Sequence, residues 1–171
     1  MARLLAAAGC LALGLGLAGC GGDGGAKHTT PPATSTATTS ARDLASARGQ
    51  VSKVVNDFAQ AGQQLRDTVG GQSTPQQAAT ALKAFQGKVR SSATALSRLR
   101  LPPSAAAAQR ALAAQFRAIA AACQASIDAG EAGDQARLRS ALRTFQSQLS
   151  GPLGARARQA AVRLDAGLAS R

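Results

Sequence analysis

Between Leu44 and Leu168 the apolar residues recur at steps of three and four, and only glycine and proline interrupt them. That spacing lines up one stripe along an α-helix, whereas a strand requires alternation, which no window shows convincingly. Leu44, Ala47, Val51, Val54, Phe58, Ala61 and Leu65 make the first stripe, with Asp43 as the expected N-cap and Gly70-Gly71 as the stop. Thr74 and Pro75 open a second helix, whose stripe is Ala78, Leu82, Phe85, Val89, Ser92, Leu96 and Leu99. Pro102-Pro103 ends it, because proline cannot continue a helix. Ser104 is the expected cap of a third helix, with the stripe Ala108, Leu112, Phe116, Ile119, Cys123 and Ile127. Gly130 and Gly133 break that helix, and Asp134 caps a fourth through Leu138, Leu142, Phe145 and Leu149. Gly151-Pro152 interrupts the fourth helix, yet the stripe resumes in phase at Leu153, Ala157, Ala160, Leu164 and Leu168. This predicts either a kinked fourth helix or a fourth and a short fifth.

Four helices of similar length joined by short turns run antiparallel to their neighbours. The expected fold is all-α, an up-down antiparallel four-helix bundle over residues 43–171. The chain has four phenylalanines, Phe58, Phe85, Phe116 and Phe145, one per helix. Counted from the turns, their levels agree to within about 5 Å at 1.5 Å per residue, which predicts one aromatic layer mid-bundle. The segment "ALKAFQGKV" (81–89) echoes "ALRTFQSQL" (141–149), a hint that the two hairpins are duplicates.

The chain begins differently. Arg3 supplies a positive start, and residues 4–17 are uncharged and rich in Leu, Ala and Gly. This is the form of an export signal, too short for a comfortable membrane span of about 20 apolar residues. It ends in Leu17-Ala18-Gly19-Cys20, which resembles the lipobox of bacterial lipoproteins. The resemblance implies that the Cys20 thiol receives a diacylglyceryl group and that signal peptidase II cuts between Gly19 and Cys20. In many species of that family the new amino terminus is also acylated, and two or more acyl chains suffice for stable anchoring. Residues 1–19 are then a signal peptide. Residues 20–42, rich in Gly, Thr, Ser and Pro, read as the lipidated cysteine and a disordered tether. The expected location is the extracytoplasmic face of the cell membrane.

The chain carries 20 Lys and Arg against eight Asp and Glu, a net +12. Loss of Arg3 with the signal lowers this by one, to +11. Arginine dominates the bases, a bias that GC-rich coding also produces. An exported basic domain is attracted to anionic lipid or wall polymer. Helix four holds the most bases, so Arg137, Arg139, Arg143, Arg156, Arg158 and Arg163 are the candidate contacts. Nucleic acid is not an expected partner, since neither Tyr nor Trp is present to stack on bases.

The residues offer little for catalysis. His28 is the one histidine and lies in the tether, so neither a Ser-His-Asp nor a Cys-His pair forms in a packed site. Cys and His are too few for a transition-metal site, and no glycine-rich loop joins a strand to a helix. Asp128, Glu131 and Asp134 form one acidic cluster, but their spacing is not that of an EF-hand, and capping and solvation account for them. Once Cys20 is used, Cys123 is the remaining thiol of the processed chain and sits on an apolar stripe. The expectation is a non-catalytic envelope interaction module without cofactor or metal, with an envelope protein as a further class of partner. The alternative is a carrier of a small apolar ligand or lipid between the helices. Alanine-rich faces collapse together, which weighs against a cavity.

Overall fold

The computed structural model describes residues 41–69 and 73–169. The lipobox, His28 and Gly70-Gly71 lie outside those residues, as does the tether as far as residue 40. Six helices follow in order: α1 (Ala41–Val69), α2 (Pro75–Arg98), α3 (Pro103–Ala122), α4 (Gln124–Glu131), α5 (Gln135–Ser150) and α6 (Pro152–Ala169). They form four antiparallel rods, because α3 continues into α4 and α5 into α6 across single-residue breaks. Around the bundle, α1 lies on α2, α2 on the α3–α4 rod, α3 on α6 and α4 on α5. A thin contact between α6 and α1 closes the ring.

The expected stripes are the buried ones. Leu82, Val89, Leu96, Leu112, Ile119, Ile127, Leu164 and Leu168 are fully or almost fully enclosed. The α1 stripe is shallower: Ala47, Val54 and Ala61 are buried, while Val51, Phe58 and Leu65 are only partly covered. The phenylalanines do share a layer, as a chain of rings and not as a closed ring of four. Phe116 stacks on Phe58 at 4.7 Å between centroids, Phe58 meets Phe85 at 6.2 Å, and Phe85 meets Phe145 edge-on at 6.2 Å.

Helix starts follow local chemistry in two of four cases. Thr74 caps α2 in a capping box: its side chain accepts from the Gln77 backbone N–H while Gln77 Oε1 accepts from the Thr74 N–H. Asp134 caps α5, its carboxylate accepting from the Arg137 N–H at 2.9 Å. Asp43, expected as the cap of α1, instead lies within a first turn that already includes Ala41, so Arg42 belongs to α1 as well. Ser104, expected as the cap of α3, is instead the second residue of that helix, since Pro103 takes the first helical position with Pro102 before it. The Ser104 hydroxyl is spent on tertiary structure, donating to the Gly167 carbonyl at 2.7 Å and so pinning the end of α6.

Two breaks differ from the sequence expectation. The third rod is not continuous but bends at Cys123. Side chains engage the backbone just before it, one of them from across the bundle. The buried side chain of Gln86 on α2 donates through Nε2 to the Ala120 carbonyl (2.9 Å) and to Gln124 Oε1 (3.2 Å), and the Cys123 thiol donates to the Ile119 carbonyl (3.4 Å). A side chain that engages the carbonyl ladder is a recognised cause of a kink. The fourth rod breaks at Gly151, as expected, but the piece beyond is not short: α6 has 18 residues against 16 in α5. Pro152 restarts it, since its missing N–H would have had no partner in a first turn.

Two glycines set the distance between rods. A Cβ on Gly130 of α4 would sit 2.7 Å from the Pro75 carbonyl oxygen and 2.9 Å from the Ala79 Cβ of α2. A Cβ on Gly167 of α6 would sit 2.7 Å from the Ser104 carbonyl oxygen and 2.8 Å from the Ala105 Cα of α3. Gly133, with φ +70, makes the left-handed turn that leads into α5.

Candidate functional site

The six arginines singled out on the fourth rod are all exposed, but they do not share a face. Gly167 marks the edge of α6 that touches α3. At about 100° per residue, Arg163 and Arg156 fall within about 40° of that edge, whereas Arg158 lies on the opposite side. On α5, Ser140, Ala141, Thr144 and Gln148 line a groove against Ala121, Ala122 and Ala125, which identifies the flank facing the third rod. Arg137 is on that groove. Arg139 and Arg143 are rotated from it by roughly 100° or more.

Four further arginines belong to helices α2 and α3. Arg117 donates through Nη2 to Ser97 Oγ across the two helices at 2.9 Å. Arg90 lies on the same stripe of α2 as Ser97, seven residues earlier, and is close enough to the Cys123 sulfur for its charge to be felt there. Arg110 lies on the same stripe of α3 as Arg117. Arg98 is exposed near the end of α2. A simple count along the sequence favoured helix four. The more telling signal is the distribution of acids, since no Asp or Glu occurs from Pro75 to Ile127, nor from Gln135 to Leu164.

The acids lie elsewhere. Asp57 pairs with Lys53 on α1 at 3.1 Å. In the acidic cluster each member has its own partner: Asp128 accepts from Gln124 Nε2 at 2.8 Å, Glu131 pairs with Lys83 of α2, and Asp134 is the α5 cap. These bonds tie the α4–α5 turn to itself and to α2. Among the described residues, no group of three or more His, Cys, Asp or Glu is placed to hold a metal.

The Cys123 side chain is fully enclosed, and burial pushes its thiol up to about 12, with the Arg90 charge pulling partly the other way. A thiol held neutral in this way is neither a nucleophile nor a redox handle at physiological pH. The groove between α5 and the α3–α4 bend measures about 430 Å³ and opens to solvent. Alanine methyls, the polar groups of Ser140, Thr144 and Gln148, and Arg137 line it, and it reaches only the edge of the phenylalanine layer, at Phe145. Among the described residues no helix is long and apolar enough to cross a membrane. No protein-family model, curated protein or solved structure matches the chain.

Proposed function

We propose that the chain is a lipid-anchored, extracytoplasmic protein whose helical bundle is a non-catalytic interaction module of the cell envelope. The observation that carries the reading is Leu17-Ala18-Gly19-Cys20 at the end of an uncharged apolar stretch. Cys20 is the lipidated residue, and Gly19-Cys20 the cleaved bond. By the random-coil estimate of about 5–6 Å × √n, a tether of roughly twenty residues has a typical span near 25 Å, which keeps the bundle beside the membrane. Binding is favoured over catalysis because Asp57 and Glu131 are held in ion pairs, Asp128 accepts from a glutamine amide, Asp134 caps α5 and the thiol is buried. The module reading is preferred over the carrier because phenylalanine rings in mutual contact fill the centre where a ligand would lie.

Mass spectrometry of the protein purified from its native membrane tests the anchor. The expected first peptide begins at Cys20 and carries acyl mass, and Cys20→Ala leaves the precursor uncut by the lipoprotein peptidase. An unmodified peptide beginning at another residue overturns the reading.

A further inference from the structure

We infer that the side of the bundle centred on α3 is the face that lies against an anionic phospholipid surface. The inference rests on the anchored reading, which brings a bilayer within reach, and it names the surface that meets it.

Two rows of bases run along that side. One row is Arg110 and Arg117 on α3, with Arg90 beside them on α2. The other is Arg156 and Arg163 on the edge of α6 nearest α3. Between the rows the outer surface of α3 consists of Ala107, Ala111, Ala114 and Ala121, all exposed. Neither α2 nor α3 has a carboxylate, and the one on α6, Asp165, is rotated by about 160° or more from the α3 edge. The α1 side is mixed, with Asp43, Asp57 and Asp67 among its bases. The α3 flank thus carries its cations without a carboxylate among them, whereas on α1 the bases stand among three acids.

The relief of this flank favours a bilayer over a chain-like polymer. Alanine ends at Cβ, so the strip between the rows is low, and nothing there stands proud of the guanidinium groups. Arginine stems lie along apolar surface, and with Arg117 tied to Ser97 on one side the guanidinium groups flank the alanine strip, within reach of headgroup phosphates. Phosphate is also the acceptor that a guanidinium fits in a bidentate way.

The test uses residues 20–171 with Cys20→Ser, which retains every described helix and carries no lipid. It is sedimented with vesicles of phosphatidylcholine alone or with about one third phosphatidylglycerol. The chain is expected to sediment with the anionic vesicles only, and added salt releases it, because exposed charges are screened over about 8 Å at physiological ionic strength. Arg110→Glu with Arg117→Glu weakens binding about tenfold or more, since each base near an anionic surface contributes favourably. Arg139→Glu with Arg143→Glu, an equal change of charge on the other flank, weakens it less than about twofold. Arg156→Gln with Arg163→Gln gives a second, milder reading of the same face, and circular dichroism checks that helicity is kept. Equal loss from both glutamate pairs overturns the assignment of the face. Equal binding to neutral vesicles, or binding to an anionic wall polymer but not to vesicles, overturns the lipid partner. Because the test protein has no acyl chain, its failure is separate from a failure to find lipid on Cys20.

Discussion

Phe58 of α1 lies flat on Phe116 of α3, with ring centroids 4.7 Å apart and planes inclined by 13°. The pair joins rods that are diagonal in the bundle, so it fastens the shallow α1 stripe to the centre. Phe116 is buried and Phe58 only partly so. Phe116→Ala and Phe85→Ala are each expected to cost about 3–5 kcal/mol, as large core truncations do, and Phe58→Ala less. A double-mutant cycle on Phe58 and Phe116 should return a coupling of about 0.5–1.5 kcal/mol. Thermal unfolding measures all of these. Melting within a degree or two of the parent for both Phe85→Ala and Phe116→Ala would remove the aromatic layer.

The close approach at Gly167 predicts a change of sign between glycines. Gly167→Ala places a methyl against the α3 backbone and is expected to destabilise by about 1–3 kcal/mol, as overpacking does. Gly62→Ala and Gly87→Ala meet nothing within 4 Å and should stabilise, by up to about 1 kcal/mol, through helix propensity. Chemical denaturation of the three variants decides. A neutral Gly167→Ala would mean that α3 and α6 can part without cost.

Gln109 makes a third case. Its Nε2 donates to the Leu96 carbonyl (2.6 Å) and the Leu99 carbonyl (2.8 Å), thereby closing the end of α2 from the next helix. Gln109→Leu keeps the volume but takes the side-chain donor from both carbonyls, leaving Leu96 with the Leu99 N–H at 3.3 Å. The expected loss is about 1–3 kcal/mol, and amide exchange in the last turn of α2 should speed up first.

Cys123 predicts a dependence on alkaline pH. Its thiol is pushed up to about 12 in the folded chain, from a usual value near 9.0. Between those values the unfolded chain releases the proton while the folded chain keeps it, so unfolding is favoured as pH rises. The stability is fully present below pH 9 and is lost progressively toward pH 12, at about 1.4 kcal/mol per unit at most. Cys123→Ala should flatten this slope, which melts at pH 8 and pH 10.5 would show. A parent slope that the variant keeps would place the alkaline sensitivity elsewhere, and labelling of the native thiol below pH 9 at the rate of a free one would contradict its burial.

The stripes were legible in the sequence because burial repeats with the helix period, and residue after residue from Ala47 to Leu168 faces inward as that period demands. Thr74 and Asp134 were legible because a cap is a local bond. Ser104 was misread because a hydroxyl near a helix start can serve its own backbone or a neighbouring rod, and only the fold brings Gly167 to it. The bend at Cys123 left no sequence mark, as the stripe passes through it in phase. The side chain bonded to the backbone beside it, Gln86, is more than thirty residues away. The echo between 81–89 and 141–149 holds for Phe85 and Phe145 but not for the glutamines, since Gln86 is buried and Gln146 exposed. The arginine rows depend on which rods are neighbours, and spacing along one helix does not supply that.

The bond from Arg48 Nη2 to the Leu168 carbonyl, 3.0 Å long, closes the bundle at the end where the chain enters α1. A pull applied at residue 41 therefore loads this bond early. With it gone, α1 is drawn off its small contacts one turn at a time, at Ala47, Val51 and Val54, until the load reaches Phe58. Such peeling yields at low force, because contacts break in sequence rather than together. The Phe58–Phe116 stack then acts as a catch halfway along α1, and the remaining rods can stay folded while the first one pays out line.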